Sequence, residues 1–408
     1  MGRGKKTVNI DVIEDFSKEK LNKIWDIIPI DDWAAVLRTN HIHHQYEIRG
    51  NVLKAQCVYH MGDSSPSMYL DVNRKLLKCF SASCNHFENN PIKIYAKFKK
   101  TTVVDALKIL ILNYNLKIFS KSSVEQLANI EDAFNTHELF YTLTTRTLIN
   151  AYAEAGTSDL YNFAIPVLNY LESRRLDVLT GVVPIGIIPP EKLIPTILPE
   201  LLDSEEAMSL IRFMYPIKDV KYIGQLVFPY RYSPSQVAYF SIRPVTNLMG
   251  QIADNKEIIK LRDGRLIDYS TDSSYFGFDT YKEDLGKNEE VYLVEGEFDY
   301  ASVVINQMNH SCNRDIFLAV GGSGNRDISN LHREFGFKKI FIIFDAPHAK
   351  GEELAYPLVC NNSGEYQTYV YNWGDSTAKD PDDLVNQSDD FIATYNKITS
   401  IKNYYTDE

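Results

Sequence analysis

The stretch from Cys57 to Cys84, which opens with CVYH and closes with KCFSASC, gathers three of the chain's five cysteines and a histidine at its two ends. Cys57 and His60 are separated by two residues, and after eighteen more come Cys79 and Cys84, separated by four. A tetrahedral zinc ion takes four nitrogen or sulfur donors at about 2.0–2.3 Å, and two pairs on tight turns supply them at little entropic cost. Between the pairs, SMYLDVNRKLLKCF alternates in part and carries Asp71, Val72 and Asn73 where a hairpin would turn, so the pairs are expected to face each other. The plainer reading makes Cys57, Cys79 and Cys84 small buried hydrophobes and His60 a surface histidine. The pair-loop-pair spacing favours the metal. His86, two residues past Cys84, is a competing fourth donor, because the second pair is wider than the usual two-residue spacing.

One zinc hairpin cannot organise 408 residues, and a chain of 46.7 kDa is expected to hold two or three domains. At 44% hydrophobic residues it reads as globular. No run of eighteen apolar residues occurs, and the N-terminal MGRGKKTVNIDVIEDF lacks the apolar core of a secretory signal, so a soluble, cytoplasmic protein without membrane contact is expected. An odd number of cysteines, three better explained by metal, argues for a reducing compartment, with Cys312 and Cys360 as free thiols in the core. The net charge of −11 is unevenly spread: residues 1–120 hold 18 Lys and Arg against 12 Asp and Glu, a balance of +6 that leaves −17 for the rest. A basic module joined to an acidic body suits one part that touches phosphates and another that binds divalent cations.

Along the chain, DFSKEKLNKIWDII reads as an amphipathic helix on Phe16, Leu21, Ile24, Ile27 and Ile28. After Cys84, NPIKIYAKFKKTTVVDALKILILNY carries two helical stripes expected to pack on the metal hairpin. The polar, Ser-rich FSKSSVEQ, residues 119–126, reads as a linker. Residues 166–270 mix Pro-rich turns with strand-like runs such as QLVFPY and VAYFSI. From Glu289 onward VYLVEGEFDYASVVINQM, DIFLAVGGSGN and KKIFIIFDAPHAKGEELAYPLV have the strand-turn-helix rhythm of a parallel sheet.

In such sheets ligands collect at the carboxyl ends of the strands. Glu295 follows VYLV, Asp345 follows IFIIF, and KDPDDL places Asp380, Asp382 and Asp383 after QTYVYNW. Asp299, one helical turn beyond Glu295, is placed to orient a ligand or approach the metal. Carboxylates from separate strand ends, completed by water and phosphate, are what Mg²⁺ or Mn²⁺ requires, with Gly296, Gly321, Gly322 and Gly324 permitting close backbone approach. Seen alone, a strand-end carboxylate is more often a helix N-cap.

Two sets of motifs carry a resemblance. CVYH, the segment from Asp63 to Met68 and KCFSASC, followed by NNPIKIYAKF and VVDALKIL, resemble the zinc-binding domain of bacterial and phage DNA primases. VEGEFD, FDAPHAKG and KDPDDL resemble the Toprim domain, and between them NYLESRRLDVLTGVVPIGIIP, QLVFPYRYSPSQVAYFSIRPV and IIKLRDGRLIDYSTDSSYFGF are similar to the basic half of the primase polymerase core. The resemblance runs in order over about residues 40–385. It implies a multidomain α/β chain: a zinc-ribbon-like domain at 1–118, the linker 119–126, an α+β basic half of the core at 127–285, a Toprim parallel-sheet subdomain at 286–390 and a tail at 391–408.

The implied activity is synthesis of short RNA primers on single-stranded DNA from ribonucleoside triphosphates, with a structural zinc on Cys57, His60, Cys79 and Cys84. Mg²⁺ or Mn²⁺ would be held by Glu295, Asp345, Asp380 and Asp382, and Glu295, Asp345, Asp299 and Lys260 are the implied catalytic residues. Arg231, Arg243 and Lys260 match the family's basic motif and are expected on template or nucleotide phosphates; Arg262 and Arg265 nearby match none. Arg74, Lys75 and Lys78, interleaved with Tyr59, Tyr69 and Phe80, are expected to meet the single strand, although aromatics beside a zinc also serve as its packing.

Where the family carries Asp-x-Asp, this chain has Asp345, Ala346 and Pro347, which removes one carboxylate; His348, Glu352 or Glu353 are the available substitutes. No G-x-x-x-x-G-K-[ST] occurs, so unwinding is assigned to a separate replicative helicase among other replisome proteins. The residues after the Toprim-like block are expected to be too few for a helicase-binding domain, which points toward a viral origin. Rival readings are a catalytically weakened relative acting as a single-strand-binding replisome adaptor, and a Toprim nuclease or topoisomerase-like enzyme, for which none of the 26 tyrosines is singled out as nucleophile.

Overall fold

The computed structural model describes residues 17–405 apart from 42–44, 60–64, 82–83, 85, 102, 115, 117–120, 155–157, 177–182, 202–203, 218–221, 235, 246–258, 267–273, 282–283, 286–287, 322–327, 347–365 and 375. The chain divides into two compact units, Met1–Ala133 and Phe134–Glu408. No helix among the described residues is long and apolar enough to cross a membrane.

The first unit opens with helices α1 (Lys18–Ile27) and α2 (Ile30–Asn40). On α1 the buried positions are Leu21, Ile24, Trp25 and Ile28, the i, i+3, i+4, i+7 face of a helix. Ile27, expected on that face, is 41% exposed: one position before Ile28 it points about 100° away, and Trp25 takes the inward place. Trp33 of α2 is fully buried against Trp25, Tyr95 and Phe98, with ring centroids 5.4, 5.8 and 6.0 Å away. Each such pair adds about 0.5–1.5 kcal/mol beyond the area it buries.

Five antiparallel strands follow in spatial order β1 (Tyr46–Arg49), β2 (Val52–Ala55), β3 (Met68–Asp71), β4 (Leu76–Cys79) and β5 (Phe87–Glu88). The predicted hairpin turn falls between β3 and β4, at 72–75. Alternation sends Leu53, Ala55, Met68, Leu70, Leu77 and Cys79 inward. Helices α3 (Pro91–Lys99) and α4 (Val103–Tyr114) carry the two predicted stripes. Asn90 caps α3 by accepting from the backbone N–H of Ile92 and Lys93, and Pro91 sits at the first turn, where its missing N–H costs nothing.

Helix α5 (Lys121–Ala153) takes up residues 121–126 of the stretch read as a linker, so those residues are helical. In the second unit, α6 (Asp159–Ser173), α7 (Ile194–Ile197) and α8 (Glu205–Met214) accompany an antiparallel sheet in the order β6 (Gly186–Ile187), β7 (Leu226–Ser233), β8 (Gln236–Arg243) and β9 (Ile259–Leu261). The parallel sheet predicted from the strand-helix rhythm is present. It contains β10 (Glu290–Val294), β11 (Ile316–Ala319), β12 (Lys339–Ile343) and β13 (Gln367–Tyr371), in the order β11-β10-β12-β13. Helices α9 (Glu297–Asn309) and α10 (Ser329–Phe335) connect its strands. Isolated bridges Arg231–Tyr275 and Phe276–Ala319 join the two sheets.

Residues 391–405 do not trail away. Helix α12 (Phe391–Thr399), which follows α11 (Pro381–Asn386), buries Phe391, Tyr395 and Ile398, and β14 (Tyr404–Tyr405) adds an antiparallel edge to β13. The order of elements is that of a mixed α/β protein with a zinc-ribbon-like first unit and a parallel sheet consistent with Toprim.

Candidate metal centre and active site

The sulfur atoms of Cys57, Cys79 and Cys84 lie within 4.8 Å of one another, and Cys57 Sγ is 3.9 Å from Cys84 Sγ. Cys57 lies two residues past β2, Cys79 closes β4, and Cys84 follows five residues later. Each sulfur accepts the backbone N–H of the residue two positions on: Tyr59 to Cys57 and Ser81 to Cys79 at 3.4 Å, and His86 to Cys84. Donors aimed at sulfur stabilise thiolate. Without a cation, the bond to Cys57 and burial push Cys84 up, and burial pushes Cys79 up. A divalent soft cation reverses both, so the residues present fit zinc.

His86 does not join the sulfur cluster. Its ring stacks on Tyr59 at 3.6 Å, burial pushes its imidazole down to about 4, and its Nε2 has no hydrogen-bond partner among the described residues. His60, expected as the fourth ligand, lies outside the described residues.

The outward face of the sheet carries a row that single-residue reading missed. Strand register places Glu47, Lys54, Tyr69, Lys78 and Phe87 side by side across the five strands. Lys54 Nζ lies 5.3 Å over the Tyr69 ring, Lys78 Nζ 5.1 Å over Phe80, and Phe80, 62% exposed, meets Tyr69 edge-on at 5.1 Å. Arg74 is exposed on the β3–β4 turn. Lys75 Nζ lies 2.8 Å from the exposed Asp26 and 3.2 Å from the Asn22 carbonyl.

In the second unit the strand ends bring acids together. Glu295 follows β10, and the Gly321 N–H after β11 donates to its carbonyl at 2.9 Å. Asp345 follows β12, and its backbone N–H donates to the Glu295 carboxylate. Asp380 caps α11, accepting from Asp383 N at 2.7 Å, and the Ala346 N–H reaches the Lys379 carbonyl at 2.7 Å, tying the Asp380 loop to the end of β12.

Burial, then Asp345 and Asp380, raise Glu295 to about 7; its Oε2 is buried with no hydrogen-bond partner among the described residues. Burial and the same two acids hold Asp299 well above the carboxylate range, and its oxygens accept from the backbone of Gly296 (2.9 Å) and Asp382 (3.3 Å). Glu295 and Asp299 thus feel the like charges of Asp345 and Asp380 near the strand ends, but unlike the three sulfurs these carboxylates do not close to a preformed metal-ligand group among the described residues. Lys379, 3.2 Å from Asp380, is the nearby cation.

Asp382 behaves differently from its expected role as a ligand. Its Oδ1 accepts from Ser302 and from Asn386 (2.7 Å), and its Oδ2 takes Arg174 at 2.5 Å. With both oxygens engaged it anchors α11 to α9 and α6 and thereby sets Asp380. Arg174 was not singled out in the sequence; only its partner shows what it does.

Basic residues approach from β7–β9. Lys260 is exposed, with Nζ 5.4 Å over Tyr239, which stacks on Tyr230 at 4.7 Å; a Cβ at Gly321 (φ +69) would stand 2.4 Å from Tyr230. This run of contacts links Lys260 to the Glu295 strand end. Arg243 pairs with Glu297 at 2.5 Å and lies 5.4 Å over Phe298, beside that same end. Arg231, expected on phosphates, is 2% exposed: Glu138 (2.5 Å) and Asp279 (2.6 Å) take its guanidinium, and Tyr141 lies under it at 4.8 Å. Its charge is already neutralised inside the core, which corrects that reading. Pro347, His348, Glu352, Glu353, Gly322 and Gly324 lie outside the described residues.

No family model and no curated protein matches the chain. Solved structures similar to it are of primases. The zinc-binding and RNA polymerase domains of Aquifex aeolicus primase align at 18% identity and a TM-score of 0.47, over 95% of this chain and 85% of that one. The DnaG primase catalytic domain bound to single-stranded DNA aligns at 16% identity and 0.47, over 68% and 80%. The Escherichia coli primase catalytic core aligns at 17% identity and 0.43, over 63% and 80%.

Proposed function

We propose that the chain is a DNA primase, a divalent-metal-dependent nucleotidyltransferase that makes short RNA primers on single-stranded DNA. The observation that carries this reading is one of placement: three sulfurs gathered for zinc in the first unit, and Glu295, Asp345 and Asp380 at the strand ends of a parallel sheet in the second. Mg²⁺ or Mn²⁺ held by Glu295, Asp345 and Asp380 would supply charge stabilisation at the triphosphate and at the attacking 3′-oxygen. Around it, Arg243 and Lys260 bind phosphate oxygens, Asp299 fixes the start of α9 beneath Glu295, and the Arg174–Asp382 pair holds Asp380 in place. The lysine and aromatic row of the first unit takes the template by stacking and phosphate contact. A separate helicase supplies the single strand, and the work is cytoplasmic.

Ribonucleotide incorporation on single-stranded DNA, with Mg²⁺ and with Mn²⁺, tests the reading. Metal-dependent primers absent from the Glu295→Gln variant support it, whereas undiminished synthesis in that variant puts the active site elsewhere. The sequence Asp345, Ala346, Pro347, with one carboxylate fewer than the family pattern, favours one alternative: a single-strand-binding adaptor without synthesis. Tight strand binding with no incorporation under either metal, helicase present, would select it.

A further inference from the structure

His137 of α5 is fully buried, its ring against Phe213 at 4.8 Å and Phe240 at 5.3 Å. Both ring nitrogens are engaged. Nδ1 lies 2.8 Å from the Val237 carbonyl of β8, and Nε2 lies 3.0 Å from the Asp263 backbone nitrogen. A carbonyl can only accept and a backbone N–H can only donate, so the ring is neutral with its proton on Nδ1. Burial holds the imidazole down to about 4, aided by Arg265 and opposed by the Val237 carbonyl, Asp263 and Glu138, so this tautomer persists at neutral pH.

These two contacts stand where the sheet stops. β9 pairs with β8 at Ile259–Ile242, Lys260–Ser241 and Leu261–Phe240, and among the described residues the pairing ends there. Val237 and Asp263 lie three and two residues beyond that last pair, so the imidazole between them replaces the next rung of the ladder. It satisfies both backbone groups while holding the two chains apart. Beyond it the chain leaves the sheet in the turn Gly264–Leu266, where the Leu266 N–H donates to the Asp263 carbonyl at 3.0 Å and the Leu266 side chain is buried. A strand of three residues has little stability of its own. Lys260 is its middle residue, exposed, with Nζ 5.4 Å over Tyr239.

We propose that His137 is a positioning residue: its imidazole, inserted between β8 and the end of β9, fixes Lys260 where phosphate is bound, a proposal that rests on the phosphate-binding reading of Lys260 above. Fully buried, His137 touches no ligand and acts through the Asp263 N–H. The segment it anchors, Lys260 to Arg265, has three cations against one acid, and Asp263 takes Arg265 at 2.7 Å. Lys260 and Arg262 therefore carry its excess charge.

The test uses the full zinc-loaded chain. His137→Gln keeps a donor and an acceptor on one planar amide, His137→Phe keeps a ring beside Phe213 and Phe240 but strands both backbone groups, and Lys260→Ala removes the cation. His137→Asn, whose shorter amide reaches Val237 but not Asp263, takes the place of His137→Phe if that variant does not fold. Hydrogen exchange of the segment 259–266 reads the anchor: His137→Phe should speed it about tenfold or more, and His137→Gln should restore much of the protection. Fluorescence anisotropy with a labelled single-stranded oligonucleotide, and titration with ATP and Mn²⁺, read the consequence. For whichever probe Lys260→Ala binds more weakly, His137→Phe should bind more weakly too, and the double variant should bind no worse than Lys260→Ala alone. Additive losses, exchange in His137→Phe as slow as in wild type, or exchange in His137→Gln as fast as in His137→Phe overturns the proposal. If Lys260→Ala binds both probes as wild type does, the phosphate reading of Lys260 falls, and the exchange rates alone uphold or overturn the anchor.

Discussion

Replacing Glu295 by glutamine should stabilise the larger unit when no divalent cation is added and remove most of the stabilisation that Mg²⁺ or Mn²⁺ confers. Burial, Asp345 and Asp380 raise this carboxyl from its ordinary 4.5 to about 7. The unfolded chain releases the proton near 4.5 and the folded chain near 7, so between these values the folded state binds more protons. Its stability therefore falls as pH rises through that window and is flat above it. At about 1.36 kcal/mol per unit the full shift is worth about 3 kcal/mol, and because the side chain is partly open to water roughly 1–2 kcal/mol of that is expected to be felt. A glutamine side chain has no charge to desolvate, so at pH 8 the Glu295→Gln variant should melt about 3–6 °C above wild type, with no difference below pH 4.5.

Added metal inverts the order. Wild type gains stability in proportion to the logarithm of metal concentration over its dissociation constant, whereas the variant, one anionic ligand short, gains less. Calorimetry of the larger unit's transition at pH 5 and 8, with and without Mn²⁺, gives the four numbers required. A variant less stable than wild type without metal, or one with an undiminished metal shift, would falsify the placement of the cation.

Purified protein should contain one zinc per chain, and Cys79→Ser should release it and unfold the first unit while the second keeps its melting transition; elemental analysis with limited proteolysis reads both. Arg174→Ala should leave the Asp382 carboxylate half-unpaired and lower metal affinity at Asp380, and Arg174→Lys should restore part of it; unchanged Mn²⁺ titration in Arg174→Ala refutes the anchoring role. Lys54→Ala with Lys78→Ala should lower the salt dependence of strand binding by about two counterions, whereas an unchanged slope puts the phosphate contacts elsewhere. Arg231→Ala should cost about 3–5 kcal/mol by stranding Glu138 and Asp279, with loss of fold preceding any specific loss of strand affinity, as paired melting and binding curves would show.

What could be read from sequence and what could not divide along a physical line. Local periodicity and strand-end chemistry were legible: the hairpin between the cysteine pairs, the two stripes of α3 and α4, and the strands that end at Glu295 and Asp345 all follow from contacts within a few residues. Partner choice was not. Arg231 and Arg243 sit on the same strand pair in equally basic surroundings, yet Glu138, 93 residues away, claims the first, while the second stays partly exposed at 29% beside Glu297. Asp380 and Asp382 differ by two positions, yet Arg174, 208 residues earlier, together with Ser302 and Asn386 ties Asp382 to neighbouring helices, whereas Asp380 caps its own helix at Asp383 and meets Lys379. A buried charge must be matched by a counter-charge from anywhere in the chain, because an unmatched one costs several kcal/mol. Long-range pairing of this kind therefore assigns roles among residues that sequence leaves equivalent.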